Sequence, residues 1–203
     1  MKRLISILLT GIAALGLALQ AVAQISLSLQ PSPQVINVGG VTSMDLVVSG
    51  LGNLSPPSLG AFDLDLSYNS AVLSAVSSTF GNFLDLGILG SLQFSDLSTA
   101  GVIHLGEISF ESSSDLNDAQ PDTFTLATLG FTGLAAGISS IDFTFASLSD
   151  EQGQSLVGFL TTPGSIKVIR TGVPDAGSTA SLLLLGIVGL AAFRRCPETF
   201  KRR

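Results

Sequence analysis

Between residues 24 and 169 the chain alternates apolar and polar residues in short runs, a period of two that suits an extended backbone and not a helix. Ile25-Ser26-Leu27-Ser28-Leu29 alternates at every step. Ser43-Met44-Asp45-Leu46-Val47-Val48 follows a turn-like Asn37-Val38-Gly39-Gly40. Phe62, Leu64, Leu66 and Tyr68 share one face of a further strand, with Asp63, Asp65 and Ser67 on the other. Strands are also predicted over 101–110, 124–131, 141–145 and 165–169. Gly, Pro, Asn and Ser break these runs at spacings of about 8–12 residues, the rhythm of a β-sandwich. About nine strands in about 145 residues fit one sandwich with one core. Residues 69–77 are expected to open with a turn or a single helical turn. The segment 78–98 is dense in apolar residues without strict alternation; both a loop with a helical turn and a curled strand pair fit it.

The charges fall outside this pattern. The stretch 24–172 carries 13 of the 15 acidic residues but only Lys167 and Arg170 of the nine basic ones, a net charge of −11. An acidic middle argues against nucleic acid, whose phosphates need a basic patch. It argues equally against docking on anionic lipid headgroups.

Both ends are apolar. Lys2 and Arg3 precede an apolar run from Leu4 to Leu19, followed by Ala21-Val22-Ala23. Residues 1–23 therefore read as a secretory signal peptide with a small-x-small site at Ala21 and Ala23, cut before Gln24. The exported domain then has no cysteine, and its stability must come from its core. A second apolar run, Ala180 to Phe193, follows Ser178 and Thr179 and precedes Arg194 and Arg195. It is short for a span of about 20 residues, although counting from Val173 brings it into range. The basic residues after it would stay cytoplasmic, leaving the domain outside. Alternatives to a removable signal are a plain stop-transfer anchor and a buried core helix. The helix reading is weakened by the lack of any polar face.

The residues of this tail resemble a known class of sorting signal. Val173-Pro174-Asp175-Ala176-Gly177, the apolar helix and Arg194-Arg195 look like a PEP-CTERM signal of the VPDSG type, with Ala176 where serine is usual. The resemblance implies processing by an exosortase-type enzyme of a Gram-negative bacterium. The chain would be held transiently in the inner membrane, then released to the cell surface or an extracellular matrix of exopolysaccharide or biofilm. The tail departs from the pattern in continuing from Cys196 to Arg203.

The middle resembles a cohesin-type domain. The resemblance rests on Val35-Ile36-Asn37-Val38-Gly39-Gly40, on residues 59–69 followed by Ala71-Val72-Leu73, on residues 125–137, and on Ser147-Leu148-Ser149-Asp150-Glu151-Gln152-Gly153. It implies an all-β jelly-roll sandwich akin to bacterial carbohydrate-binding modules. The expected division is thus 1–23 signal peptide, 24–170 cohesin-like domain, and 171–203 sorting signal with a transmembrane helix at 178–193 and a basic tail.

Candidate chemistry in the domain is sparse. One histidine, one tyrosine, no tryptophan and no cysteine before residue 196 make a poor kit for catalysis. His104 has no second histidine or cysteine to build a metal site or triad with, and reads as structural or surface. Asp63 and Asp65 share a strand face; two carboxylates can serve glycoside hydrolysis, but a solvated outer face is the plainer account. Asp150, Glu151 and Gln154, and separately Asp115, Asn117, Asp118 and Asp122, form oxygen-rich stretches of the kind that hold Ca²⁺ in extracellular modules. Neither has EF-hand spacing, and no cofactor is otherwise expected. The sequence therefore points to a non-enzymatic surface or matrix protein, or alternatively to a displayed module binding a carbohydrate or a protein. An apolar or aromatic patch on one sheet face would favour the second.

Overall fold

A computed structural model describes residues 24–170 and 183–185. The expectations for the signal peptide, for Val173 to Gly177, for Arg194 and Arg195, and for most of the 178–193 span lie outside the described residues; 183–185 are helical. Among the described residues no helix is long and apolar enough to cross a membrane.

Among the described residues twelve strands run in chain order: β1 (Ser26–Gln30), β2 (Gln34–Asn37), β3 (Val41–Ser49), β4 (Leu59–Tyr68), β5 (Leu73–Phe80), β6 (Ser91–Asp96), β7 (Val102–Ser109), β8 (Thr123–Gly133), β9 (Gly137–Asp150), β10 (Ser155–Leu156), β11 (Leu160–Thr162) and β12 (Gly164–Ile169). One helix, α1 (Ser113–Ala119), lies between β7 and β8. Nine strands have five or more residues, matching the expected number; β2, β10 and β11 are shorter additions. They form two sheets. Sheet A has the order β11-β1-β3-β8-β5, and sheet B the order β2-β12-β9-β4-β7-β6 with β10 beside β9.

Both terminal segments switch sheets at proline. Pro31 and Pro33 separate β1 in sheet A from β2 in sheet B, and Pro163 separates β11 from β12. Proline cannot donate to a ladder, so the chain leaves one sheet there and joins the other. The two segments then run side by side, β1 parallel to β11 and β2 parallel to β12.

The period-two pattern becomes the core. Leu27 and Leu29 of β1, and Met44, Leu46 and Val48 of β3, face Leu64 and Leu66 of β4 and Ile103 and Leu105 of β7 across the sandwich, all buried. Alternation with one apolar face is what lets two sheets stack. Phe131 of β8 is fully buried and meets Tyr68 edge-on, ring centres 5.9 Å apart. Gly39 turns β2 into β3 at φ +78, a conformation that costs glycine little.

Three local readings are resolved, one of them as a correction. The turn at 69–72 leads directly into β5, as allowed. Of the open segment 78–98, the start completes β5, residues 81–90 are loop, and the end is β6. The stretch with Asp115, Asn117 and Asp118 is not an irregular oxygen-rich loop but helix α1. Ser112 caps it by accepting from the Asp115 N–H at 3.2 Å. The helix is too short, with one buried residue, Leu116, to leave a periodic signal.

Candidate functional site

The outer faces of the two sheets differ in chemistry. On sheet A hydroxyls predominate, among them Ser26, Ser28, Ser43, Thr125, Thr128 and Thr132, and the exposed apolar residues Val41, Val76 and Leu160 stand on three different strands. On sheet B it carries Leu92 and Phe94 of β6, Ile108 of β7 and Phe145 of β9, each about half exposed or more. The registers place Leu92 beside Ile108 and Phe94 beside Gly106, so these side chains adjoin. Apolar side chains grouped on an outer face mark an interaction site more often than scattered ones do.

A depression of about 280 Å³ lies within this face. Small residues form its floor: Ala61 of β4, Gly106 of β7, and Ser147 and Ser149 of β9. Leu92, Phe94 and Ile108 wall one side. The floor at Gly106 is low only because a side chain is missing. A Cβ there would meet Phe62 O at 3.5 Å and Asp63 Oδ1 at 3.7 Å, ordinary contacts. Space, not backbone strain, is what glycine provides here.

The sheet brings His104 to the Asp63 and Asp65 pair, from which the sequence keeps it apart. The β4–β7 register sets Asp65 opposite His104 and Asp63 opposite Gly106. The His104 ring then lies between both carboxylates, its Nδ1 on Asp65 Oδ1 and its Nε2 3.4 Å from Asp63 Oδ1. Phe94 packs edge-on against the ring, centres 5.1 Å apart. Neutral imidazole has one N–H to give and imidazolium two, so only the charged ring donates to both carboxylates at once. The arrangement differs from that of a hydrolase. Both ring nitrogens face carboxylates, and neither is hydrogen-bonded to a serine hydroxyl that it could activate. The paired acids of a glycosidase need the sugar between them, whereas here the ring occupies that place.

Several of the oxygen-rich candidates are engaged structurally, although the Asp118 and Asp122 carboxylates make no hydrogen bond among the described residues. Asp150 Oδ1 accepts from the N–H groups of Gln152 and Gln154 at 2.9 and 2.7 Å. Glu151 Oε2 accepts from the Ser58 N–H at 3.0 Å. Asn117 accepts from the Ser58 hydroxyl, tying α1 to the start of β4. Among the described residues no group of three or more His, Cys, Asp or Glu side chains is placed to hold a metal ion.

Three buried polar side chains brace the site from behind, and the sequence pattern did not single them out. Gln120, fully buried, accepts from Leu59 N–H at 2.7 Å and donates to Leu59 O and Phe83 O at 2.8 and 2.9 Å. Glu111 accepts from four backbone N–H groups, those of Leu86, Ile88, Leu89 and Gly90, at 3.0–3.2 Å. Burial pushes the Glu111 carboxyl up, but the four donors outweigh it and hold the group below the ordinary glutamate range. Glu107 points into the core from β7. Its Oε1 accepts from Ser91 Oγ and Gln93 Nε2, while its Oε2 has no partner. Burial raises its pKa against those two bonds. The signal for Glu107 was available: a glutamate at a position in phase with Ile103 and Leu105 is out of pattern.

Comparison with known proteins defines the class first. The sandwich has the cohesin fold. It is similar to the seventh ScaB type I cohesin of Pseudobacteroides cellulosolvens, with a TM-score of 0.59 and 16% identity over 75% of this chain and 96% of that one. It is also similar to the sixth cohesin of Acetivibrio cellulolyticus scaffoldin B, solved in complex with a Cel5 dockerin (TM-score 0.57, 14% identity, 72% of this chain and 99% of that one). A non-cellulosomal cohesin of the archaeon Archaeoglobus fulgidus gives a TM-score of 0.55 at 16% identity over 72% and 92% of the two chains. The particular marker of this chain is its tail: residues 172–195 match the VPDSG-CTERM motif, a span that contains Val173-Pro174-Asp175-Ala176-Gly177 and Arg194-Arg195. No curated protein matches the sequence.

Proposed function

We propose that this chain is an exported, non-enzymatic binding module displayed at the surface of a Gram-negative bacterium, and that it holds a protein partner on the outer face of sheet B. A signal peptide cut before Gln24 starts export. The helix at 178–193 holds the chain in the inner membrane until an exosortase-type enzyme processes it at the Val173 to Gly177 motif. The module then resides in the exopolysaccharide layer.

One observation carries the binding reading: exposed apolar side chains on sheet B line a depression, while those on sheet A stand on separate strands among hydroxyls. A component that only fills a matrix needs no such asymmetry. Aromatic stacking on a sugar is the weaker fit, because Phe94 stands edge-on to His104 and the chain has no tryptophan.

The test uses a photo-crosslinking residue at position 147, in the depression, or at position 128, on sheet A, in the producing bacterium. Adducts are expected from position 147 alone, and they should vanish when Gly106→Phe fills the floor. Equal adducts from both positions, or none from 147, would end the reading. The sorting step is tested separately by the C-terminal mass of the mature protein. An unchanged mass in cells lacking the sorting enzyme removes that step.

A further inference from the structure

The four sheet edges are not equally guarded. β2 has four residues and follows Pro31 and Pro33. β11 has three and ends at Pro163. β5 is broken by a bulge between Ala75 and Ser77. Short strands, prolines and bulges are the usual means of keeping a sheet edge from pairing with another chain. β6 has none of them. It has six residues without proline, lysine or arginine, pairs with β7 without a register shift, and is exposed from Leu92 to Asp96.

The direction of its backbone groups follows from the ladder. The Phe110 N–H donates to Gly90 O at 2.9 Å, which makes Gly90 and Phe110 a hydrogen-bonded pair. Hydrogen-bonded pairs alternate along an antiparallel ladder. Leu92, Phe94 and Asp96 therefore bond to β7, while the N–H and C=O groups of Ser91, Gln93 and Ser95 point away from it. Among the described residues these outward groups have no partner. The side chains beside them alternate too, with Leu92, Phe94 and Asp96 on the outer face.

Charge selects the occupant. β4, β6, β7 and β9 contain no lysine or arginine, while Asp63, Asp65, Asp96 and Asp142 lie on or along the outer face. A second copy would bring the same acidic surface against this one. A basic partner meets it with opposite charge.

We propose that β6 is the docking edge of the module, and that the partner adds an extended segment to it as a further strand of sheet B. The segment presents apolar side chains to Leu92 and Phe94 and a lysine or arginine to Asp96. This is strand addition, in which main-chain bonds supply affinity and alternate side chains supply selectivity. It rests on the reading of sheet B as the recognition face and adds the mode of attachment and the partner's chemistry.

The probe is the synthetic hexapeptide KTVTVT, titrated into the isotopically labelled full chain in mild detergent and followed by amide NMR. The amides of Ser91, Gln93 and Ser95 should shift and gain protection from exchange. ETVTVT should bind at least about tenfold more weakly, since it sets a carboxylate against Asp96. Ser95→Pro removes an outward N–H at a position where an edge strand tolerates proline, and should weaken KTVTVT at least about tenfold. Backbone N-methylation of the peptide repeats that test without altering the protein. Unchanged affinity for both Ser95→Pro and the methylated peptide overturns strand addition, as does absence of any shift at the three amides. So does a β6-dependent dimer in sedimentation at low salt, where the charge of the domain should hold copies apart, since it assigns the edge to a second copy. Crosslinking from position 147 is scored independently, so loss of the docking mode and loss of the binding face are separate results.

Discussion

Replacing Gln120 with leucine tests whether one buried amide holds the back of the site together. The two side chains have similar volume, so the change removes hydrogen bonds more than packing. Gln120 satisfies the Leu59 N–H, Leu59 O and Phe83 O, all within 2.7–2.9 Å, and is itself fully buried. A buried polar group left unpaired costs about 1–3 kcal/mol. Three such groups, less what the apolar leucine regains, give a loss of about 3–5 kcal/mol. That is a large part of the about 5–15 kcal/mol that holds an ordinary domain. In urea denaturation the midpoint should fall by about 2 M with little change in slope. Gln120→Glu separates the parts of the effect. It keeps an acceptor for the Leu59 N–H but turns a carboxylate toward two carbonyls, so it should match leucine at neutral pH and recover on acidification. A leucine variant within about 1 kcal/mol of wild type would show that these groups find other partners, and would refute the assignment.

Two further predictions concern pH. The Glu107 pKa is raised in the folded chain, so the unfolded glutamate ionises first as pH rises. Stability should fall with pH from the ordinary carboxylate range up to the raised native value. Glu107→Gln should remove that slope in melts between pH 4 and 7; parallel curves for the two proteins count against it. The Glu111 pKa is lowered, with the opposite sign. Its contribution is complete above the ordinary glutamate range and is lost as pH falls through the depressed native value. Glu111→Gln should speed hydrogen exchange at Leu86, Ile88, Leu89 and Gly90 at neutral pH, and unchanged protection at these four amides contradicts the four-donor cradle.

What the sequence revealed and what it hid follow from the range of the interactions. The alternation in 62–68 named the buried side of β4 residue by residue, because a sheet with one solvated face imposes period two locally. The partner of β4 was not legible. That Asp65 faces His104 depends on pairing across 39 positions, and nothing near either residue encodes the register. Helix α1 was missed because seven residues with one buried leucine have no face to repeat. β6 was left open because all but the first of its residues are exposed, and exposure removes the very contrast that periodicity reads. The most functional-looking strand was thus the least readable one, and for a physical reason: a surface kept for a partner resembles neither core nor ordinary solvent face.

The domain of residues 24–170 is acidic and free of cysteine, and both properties bear on its exposed edge. With no disulfide, its order rests on the leucine-rich core and on the polar braces at Gln120 and Glu111. An unguarded β6 edge flanked by Leu92 and Phe94 is a route to self-pairing. A net charge of −11 on residues 24–172 opposes the approach of identical copies and leaves a basic partner favoured. Negative charge on this domain therefore serves as the guard that proline and bulges provide at the other edges. The guard should weaken with salt, since the Debye length falls from about 30 Å at 0.01 M to about 3 Å at 1 M. Sedimentation across that range should show a monomer at low salt, with any association appearing only at high salt and disappearing in Ser95→Pro. Association strongest at low salt would mean that charge attracts the copies, and would refute the role given to it here.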